Sequence, residues 1–289
     1  MTTGILFALA AMFFWGFGDF LIQRSTRKFG NWETLFLISF VGVAILLPLV
    51  VEDIVDLFSA GDPPLLLLFG ASAILFVAAI MEFEALRRGK IFVVEPTWSL
   101  EIPVSAVLAF VILDESLTAV QSLLIGALIV GLFLISYKGK VFSKKFFLEK
   151  GIVISSVSAV FMGGANFFVG WAARETDPLF INFVISLFCM VGSAAVLYGR
   201  GRLGRTLETF REYPKLILPM CILDNFAWIA FAFAMTLAPI GIAAAISESY
   251  IAIAVLLGLF IGKEKLERHQ KRGLVLALAA AVILASQTL

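Results

Sequence analysis

The chain has 289 residues, of which 61% are hydrophobic and 15% charged, with a mean hydropathy of +1.02 and a formal net charge of +1. A soluble domain carries roughly 25% charge, so this composition excludes an ordinary soluble globular protein. The near-neutral balance gives no electrostatic case for nucleic acid, and two cysteines, Cys189 and Cys221, both inside apolar segments, imply packing rather than a disulfide framework.

Ten hydrophobic segments follow in chain order, over approximately 4–23, 33–51, 64–86, 91–113, 117–137, 151–171, 178–199, 215–237, 241–262 and 273–288. Each is close to the length a helix needs to cross a bilayer. No basic region precedes the first, and no A-x-A-like site closes it, so that span is expected to be retained. Trp32 and Trp171 stand at span ends, where an indole anchors at lipid headgroups. The loop after span two is acidic, with Glu52, Asp53, Asp56 and Asp62. Most connections are short; the longest polar segments are 138–150 and 199–215, both read as loops.

Of the 22 Lys and Arg residues, all but Arg174 fall in the alternate loops after spans one, three, five, seven and nine. Cytoplasmic loops retain positive charge. The pattern predicts a multi-pass integral membrane protein, expected in a prokaryotic plasma membrane, with both termini outside.

The two halves repeat. At an offset of 147, Gly4 meets Gly151, Gly16 meets Gly163, Asp19 meets Asn166, Phe20 meets Phe167 and Arg27 meets Arg174; at 149, Glu115 meets Glu264, Leu117 meets Leu266 and Gln121 meets Gln270. Five spans per half is an odd number, so the second half enters from the opposite side. The expected fold class is an all-α membrane protein of ten transmembrane helices in two inverted five-helix repeats, 1–137 and 151–289, joined by a cytoplasmic linker, 138–150. Many secondary transporters share this plan, with substrate near the midplane.

Trp15-Gly16-Phe17-Gly18-Asp19-Phe20, Asp114-Glu115-Ser116-Leu117 and Lys263-Glu264-Lys265-Leu266 together resemble the drug/metabolite transporter superfamily, specifically the EamA-type ten-helix permeases. The resemblance covers nearly the whole chain, although Asp114 and Lys263 replace the glycine of the Gly-Glu-x-Leu turn. It implies a basket with spans 1, 3, 4, 6, 8 and 9 around a central cavity, and amino acids, other metabolites or cationic drugs as substrates. Many members keep their termini in the cytoplasm; the charges here predict the reverse.

Four acids lie well inside spans: Asp19, Glu101, Asp224 and Glu248. Intramembrane charge is costly and functional by default. By helical rise, Glu101 and Asp224 sit near the midplane, Asp19 deeper toward the cytoplasm and Glu248 toward the outside. No Lys or Arg lies in a span interior to neutralise them. Trp15, Trp98 and Trp228 stand one helical turn from Asp19, Glu101 and Asp224, and Glu95, Trp98, Glu101 and Ser105 form a stripe on span four. Carboxylates with indoles suit a cation, through Coulomb attraction and cation–π contacts worth about 0.5–2 kcal/mol each, and a carboxyl withdrawn from water can carry a coupling proton. The alternative for each acid is a protonated group that hydrogen-bonds a neighbouring helix; for each Trp it is packing. Glu82 and Glu84 are read as snorkelling beside Arg87 and Arg88, and Asp114 and Glu115 as solvated turn residues. Pro103 and Pro219 are expected to kink spans four and eight. Gly258-x-x-x-Gly262 and the Ala277, Ala281, Ala285 stripe permit close helix approach within the bundle.

The sequence thus reads as a secondary transporter of a small organic solute, cationic, zwitterionic or neutral, possible proton coupling included, working by alternating access as a monomer or homodimer. The expected cavity residues are Trp15, Asp19, Trp98, Glu101, Asn166, Asp224, Trp228 and Glu248, with no cofactor, metal or catalytic residue. A membrane enzyme would need a nucleophile–base pair or metal ligands, and the single His269 has neither beside it in sequence. A channel would need repeated polar rings.

Overall fold

The computed structural model describes residues 2–52, 54, 64–89, 94, 97–136, 152–253 and 267–287. They form α1 (Thr2–Lys28), α2 (Asn31–Leu46, extended by a 3-10 turn, Leu47–Leu49), α3 (Leu65–Arg88), α4 (Glu101–Leu113) and α5 (Ala119–Ser136) in the first half. The second half holds α6 (Ile152–Glu175), α7 (Pro178–Gly199), α8 (Leu203–Glu212), α9 (Pro214–Leu237), α10 (Ile240–Ser247) and α11 (Arg268–Gln287). No strand occurs among the described residues. Among the described residues six helices are long and apolar enough to cross a membrane, namely Thr2–Lys28, Asn31–Leu49, Leu65–Arg88, Val153–Glu175, Pro178–Gly199 and Pro214–Leu237. Shorter apolar helices, Glu101–Leu113, Ala119–Ile135 and Ile240–Ile253, occupy predicted spans four, five and nine. Among the described residues, length and composition thus mark six long crossings. Large apolar side chains such as Leu66, Leu123, Val153, Val275 and Val282 are more than half exposed, as a lipid-facing surface requires. The protein is an integral multi-pass membrane protein.

Local chemistry sets the boundaries. Asp177 caps α7 by accepting from the backbone N–H of Leu179 at 2.7 Å and of Phe180 at 3.2 Å, with Pro178 at the first helical position. Span four does not run as one helix. Ser99 and Leu100 form a turn, and α4 starts afresh at Glu101. Pro103 accounts for this: it has no N–H to donate, and its ring opposes the carbonyl four residues earlier. The expected kink is a break. Span nine is interrupted likewise at Glu248–Ser249. There Ser249 Oγ donates to the Ala245 carbonyl at 2.9 Å, a back-bond that bends helices. Pro219 has the opposite outcome. It lies near the start of α9, which continues through it unbroken, because the carbonyl it orphans belongs to exposed Lys215. The segment 199–215, expected to be a loop, contains α8; Leu203, Leu207 and Phe210 share one face of it, and Arg202 at its start pairs with Glu33 at 3.0 Å.

Asp114 caps α4 in the left-handed conformation, φ 54° and ψ 26°, which explains why the related turn favours glycine. It is the only non-glycine with positive φ among the described residues. Asp tolerates this region better than most residues. Asp114→Gly is therefore expected to keep or raise the thermal midpoint, whereas Asp114→Val should cost about 1–2 kcal/mol, read by thermal unfolding in detergent.

Packing runs between halves. α1 packs on α9, α3 on α6, α2 on α7, α5 on α11, α4 on α6, α10 on α1 and α4 on α10. Exchanging α1 with α6, α2 with α7, α3 with α9, α4 with α10 and α5 with α11 turns this set into itself. The halves are also inverted: the start of α1 lies against the end of α9, where a Cβ on Gly4 would come 3.0 Å from Leu237, while the end of α1 meets Tyr213 at the start of α9. The expected Ala stripe packs inside the bundle, since a Cβ on Gly131 would meet the Ala277 backbone N at 2.6 Å. The Gly258-x-x-x-Gly262 motif lies outside the described residues.

Candidate functional site

One face of the molecule carries the ends of α1, α3 and α7 and the start of α9, with most of the described cations; we call it the basic face. Toward the middle of the bundle lies a cavity of about 80 Å³, room for a few waters or a small polar group. Its lining includes Trp15, Asp19, Asn166, Asp224, Trp228 and Glu248, all expected from sequence, together with Glu101. Trp98 is not among the lining residues. It is fully buried in the core, and its indole N–H has no partner among the described residues. The stripe that placed it beside Glu101 assumes a continuous helix, and the turn at Ser99–Leu100 breaks that geometry. Glu95 lies outside the described residues.

Two groups of acids meet in the cavity. Asn166 on α6 donates its side-chain N–H₂ to Glu101 Oε2 at 3.2 Å and to Glu248 Oε1 at 3.3 Å. Glu101 and Glu248 are themselves 147 apart, each beside the break in its span, so the bridge joins repeat-related carboxylates at repeat-related breaks. Asp19 on α1 lies within electrostatic reach of Tyr250, of Asp224 on α9 and of Glu248. The depths assigned from sequence separated these acids; the antiparallel packing of α1 on α9 brings them together. Around them Trp15 meets Trp228 edge-on with ring centroids 5.1 Å apart, Phe231 at 5.0 Å and Tyr250 at 6.1 Å.

The structure adds Glu82, Asn182, Asn225 and Tyr250. Glu82 corrects the snorkelling assignment: it faces the cavity, within electrostatic reach of Asp19, Glu248 and Asp224. Only Glu84 makes the local pairs, with Arg87 at 2.7 Å and with Arg88. Helix spacing separates the two, because Glu82 shares a face with Leu75 and Ala79, and Glu84 with Arg87 and Arg88.

The cavity is rich in acceptors. None of its described lining residues is Lys, Arg or His. The N–H₂ of Asn182 is used by the carbonyls of Pro178 and Trp228, and that of Asn225 by the carbonyls of Ile38 and Cys221. The buried Oδ1 of Asn166 has no partner among the described residues. A ligand brought here meets carboxylates, an open amide oxygen and ring faces. Among the described residues no group of three or more His, Cys, Asp or Glu is arranged to hold a metal ion.

Glu115, expected to be solvated, is held instead. Its carboxylate pairs with Arg174 and accepts from the Ile240 backbone N–H at 2.8 Å, on the face opposite the basic one.

A bundle of long apolar helices, duplicated with inversion around an acid-lined midplane cavity, defines a membrane permease. The chain belongs to the EamA-like transporter family, whose profile matches residues 2–137 and again 149–286. The matched family is one of membrane transporters of small solutes. A crystal structure of a protein with 14% identity is similar in fold, with a TM-score of 0.72 over 99% of this chain and 98% of that one. No curated protein matches the chain significantly.

Proposed function

We propose that this protein is a secondary transporter that moves a small amine, as a cation or zwitterion, across the membrane by alternating access between its two halves, with the cavity acids also able to carry protons. The observation that supports this reading most is the concentration of acids in the cavity. Five acids, Asp19, Glu82, Glu101, Asp224 and Glu248, line it with no basic residue among the described lining. Unpaired buried carboxylates are costly, and either a proton or an ammonium group relieves the cost. An anionic solute would add like charge in a low dielectric. Trp15 and Trp228 supply ring faces for a cation. Ten spans, a cytoplasmic basic face and outside termini belong to the same reading, on the strength of the charge asymmetry.

The test is a competition assay in proteoliposomes. Primary amines and zwitterionic amino acids are expected to inhibit uptake of a labelled amine, and phosphates and dicarboxylates of similar size to leave it unchanged. Inhibition by organic anions alone would overturn the substrate class.

A further inference from the structure

We infer that Arg174 and Glu115 form the latch that closes the face opposite the basic one, and that separating them is the step that opens the cavity to that side. The inference rests on the alternating-access reading above.

Arg174 is the one cation in the sequence outside the alternating basic loops. All three nitrogens of its guanidinium donate. Nε donates to the Met235 carbonyl at 2.8 Å, Nη2 to the Ala238 carbonyl at 2.9 Å, and Nη1 to Glu115. The planar fork satisfies the carbonyls at the end of α9 and a carboxylate at once. Glu115 completes the knot by accepting from Ile240 N–H, at the start of α10. One ion pair thereby ties the end of α6, the α9–α10 turn and the α4–α5 turn. These are the ends of the helices that bear Asn166, Asp224, Glu248 and Glu101, so no path can open between them on this face while the knot holds. Packing beneath agrees: a Cβ on Gly170 would come 3.0 Å from Ile240 Cδ1 and 3.2 Å from Met235 Cβ.

On the other face the repeat-related arginine is placed alike, and Glu264, the repeat partner of Glu115, lies outside the described residues. Arg27, the repeat partner of Arg174, donates through Nη2 to the Gly89 carbonyl at 2.7 Å. Gly89 caps α3 as Ala238 caps α9. Among the described residues Arg27 meets no carboxylate and is exposed. On this side α1 lines the cavity with Trp15, Asp19 and Ile22, and α3 with Leu75, Ala79, Glu82 and Phe83, from their middles toward the basic face. Side chains of the pair are 27% and 16% exposed, so water reaches the pair and can take over its hydrogen bonds when it parts.

The test reads access rather than transport. With Cys189 and Cys221 replaced by Ser, a cysteine is placed at Ala230, which is 5% exposed on α9 between the cavity and the latch. A membrane-impermeant maleimide is applied to sealed vesicles from each side separately. Glu115→Gln keeps the acceptor for Ile240 N–H and removes only the charge; it and Arg174→Ala are each expected to speed labelling from the Arg174 face at least tenfold. Arg174→Lys should stay within about threefold of the parent. Monodispersity on size exclusion identifies any variant that fails to fold, and Glu115→Gln then decides. Unchanged labelling from the Arg174 face in a folded Glu115→Gln variant overturns the latch. Amine uptake is measured in parallel: absent uptake in the parent, with labelling still responding to the latch variants, would reject the transport reading while leaving the latch standing.

Discussion

Glu101→Gln and Asp224→Asn are each expected to abolish amine uptake and its dependence on pH while leaving expression and melting temperature close to the parent. Gln at 101 keeps an oxygen for the Asn166 N–H₂, 3.2 Å away, so the bridge to α6 survives. What is lost is charge. Removing one partner of a buried charged pair costs about 2–5 kcal/mol, which is roughly 30-fold or more in affinity. The two substitutions test the two acid groups separately, since Glu101 belongs to the Asn166 bridge and Asp224 to the cluster with Asp19. Unchanged uptake and pH dependence in both variants would assign these acids to packing.

The second large effect is steric. Gly163 on α6 lies so close to α4 that a Cβ would stand 2.7 Å from Val104 Cβ and 2.8 Å from the Glu101 carbonyl oxygen. Backbone on one side and a β-branched stem on the other leave nothing flexible to give way. Gly163→Ala is expected to destabilise by about 1–3 kcal/mol, and to depress uptake further by displacing Glu101. Its neighbour Gly164 is the control, because there a Cβ would meet only Ile74 Cγ2 at an ordinary 3.9 Å. Gly164→Ala should be neutral or gain up to about 1 kcal/mol, as alanine does in a helix interior. Thermal melts of the two variants side by side decide the matter, and equal melting temperatures would mean that α4 and α6 are not packed as described.

The legible part of the fold was what symmetry and charge imprint on a chain. Apolar length placed the long helices, and the matches of Gly16 with Gly163 and Arg27 with Arg174 announced the duplication. Four acids were readable from depth alone. The errors have a common cause in the assumption of unbroken helices. Trp98 is three residues from Glu101, but the turn at Ser99–Leu100 lies between them, so the spacing of a regular helix no longer fixes a shared face. The break at Glu248–Ser249 has no proline to announce it; it coincides with a serine back-bond. Glu115 has a turn sequence, and nothing local shows that Arg174, 59 residues away, will neutralise it. Glu82 was within reach, since helical spacing alone sets it apart from Glu84.

The pairing of α5 with α11 bears on how the molecule is made. These helices pack chiefly on each other, with Gly131 seated against Ala277 and Gly273 against the Gly131 carbonyl. Between the start of α5 at Ala119 and the start of α11 at Arg268 the ribosome must add about 150 residues. At 5–20 residues per second that takes roughly 8–30 s. Throughout that interval the glycine face of α5 stands in the bilayer without its mate. The first repeat therefore cannot complete its own assembly before the second has been synthesised, and two units that are duplicates in sequence are sequential and interdependent in biogenesis.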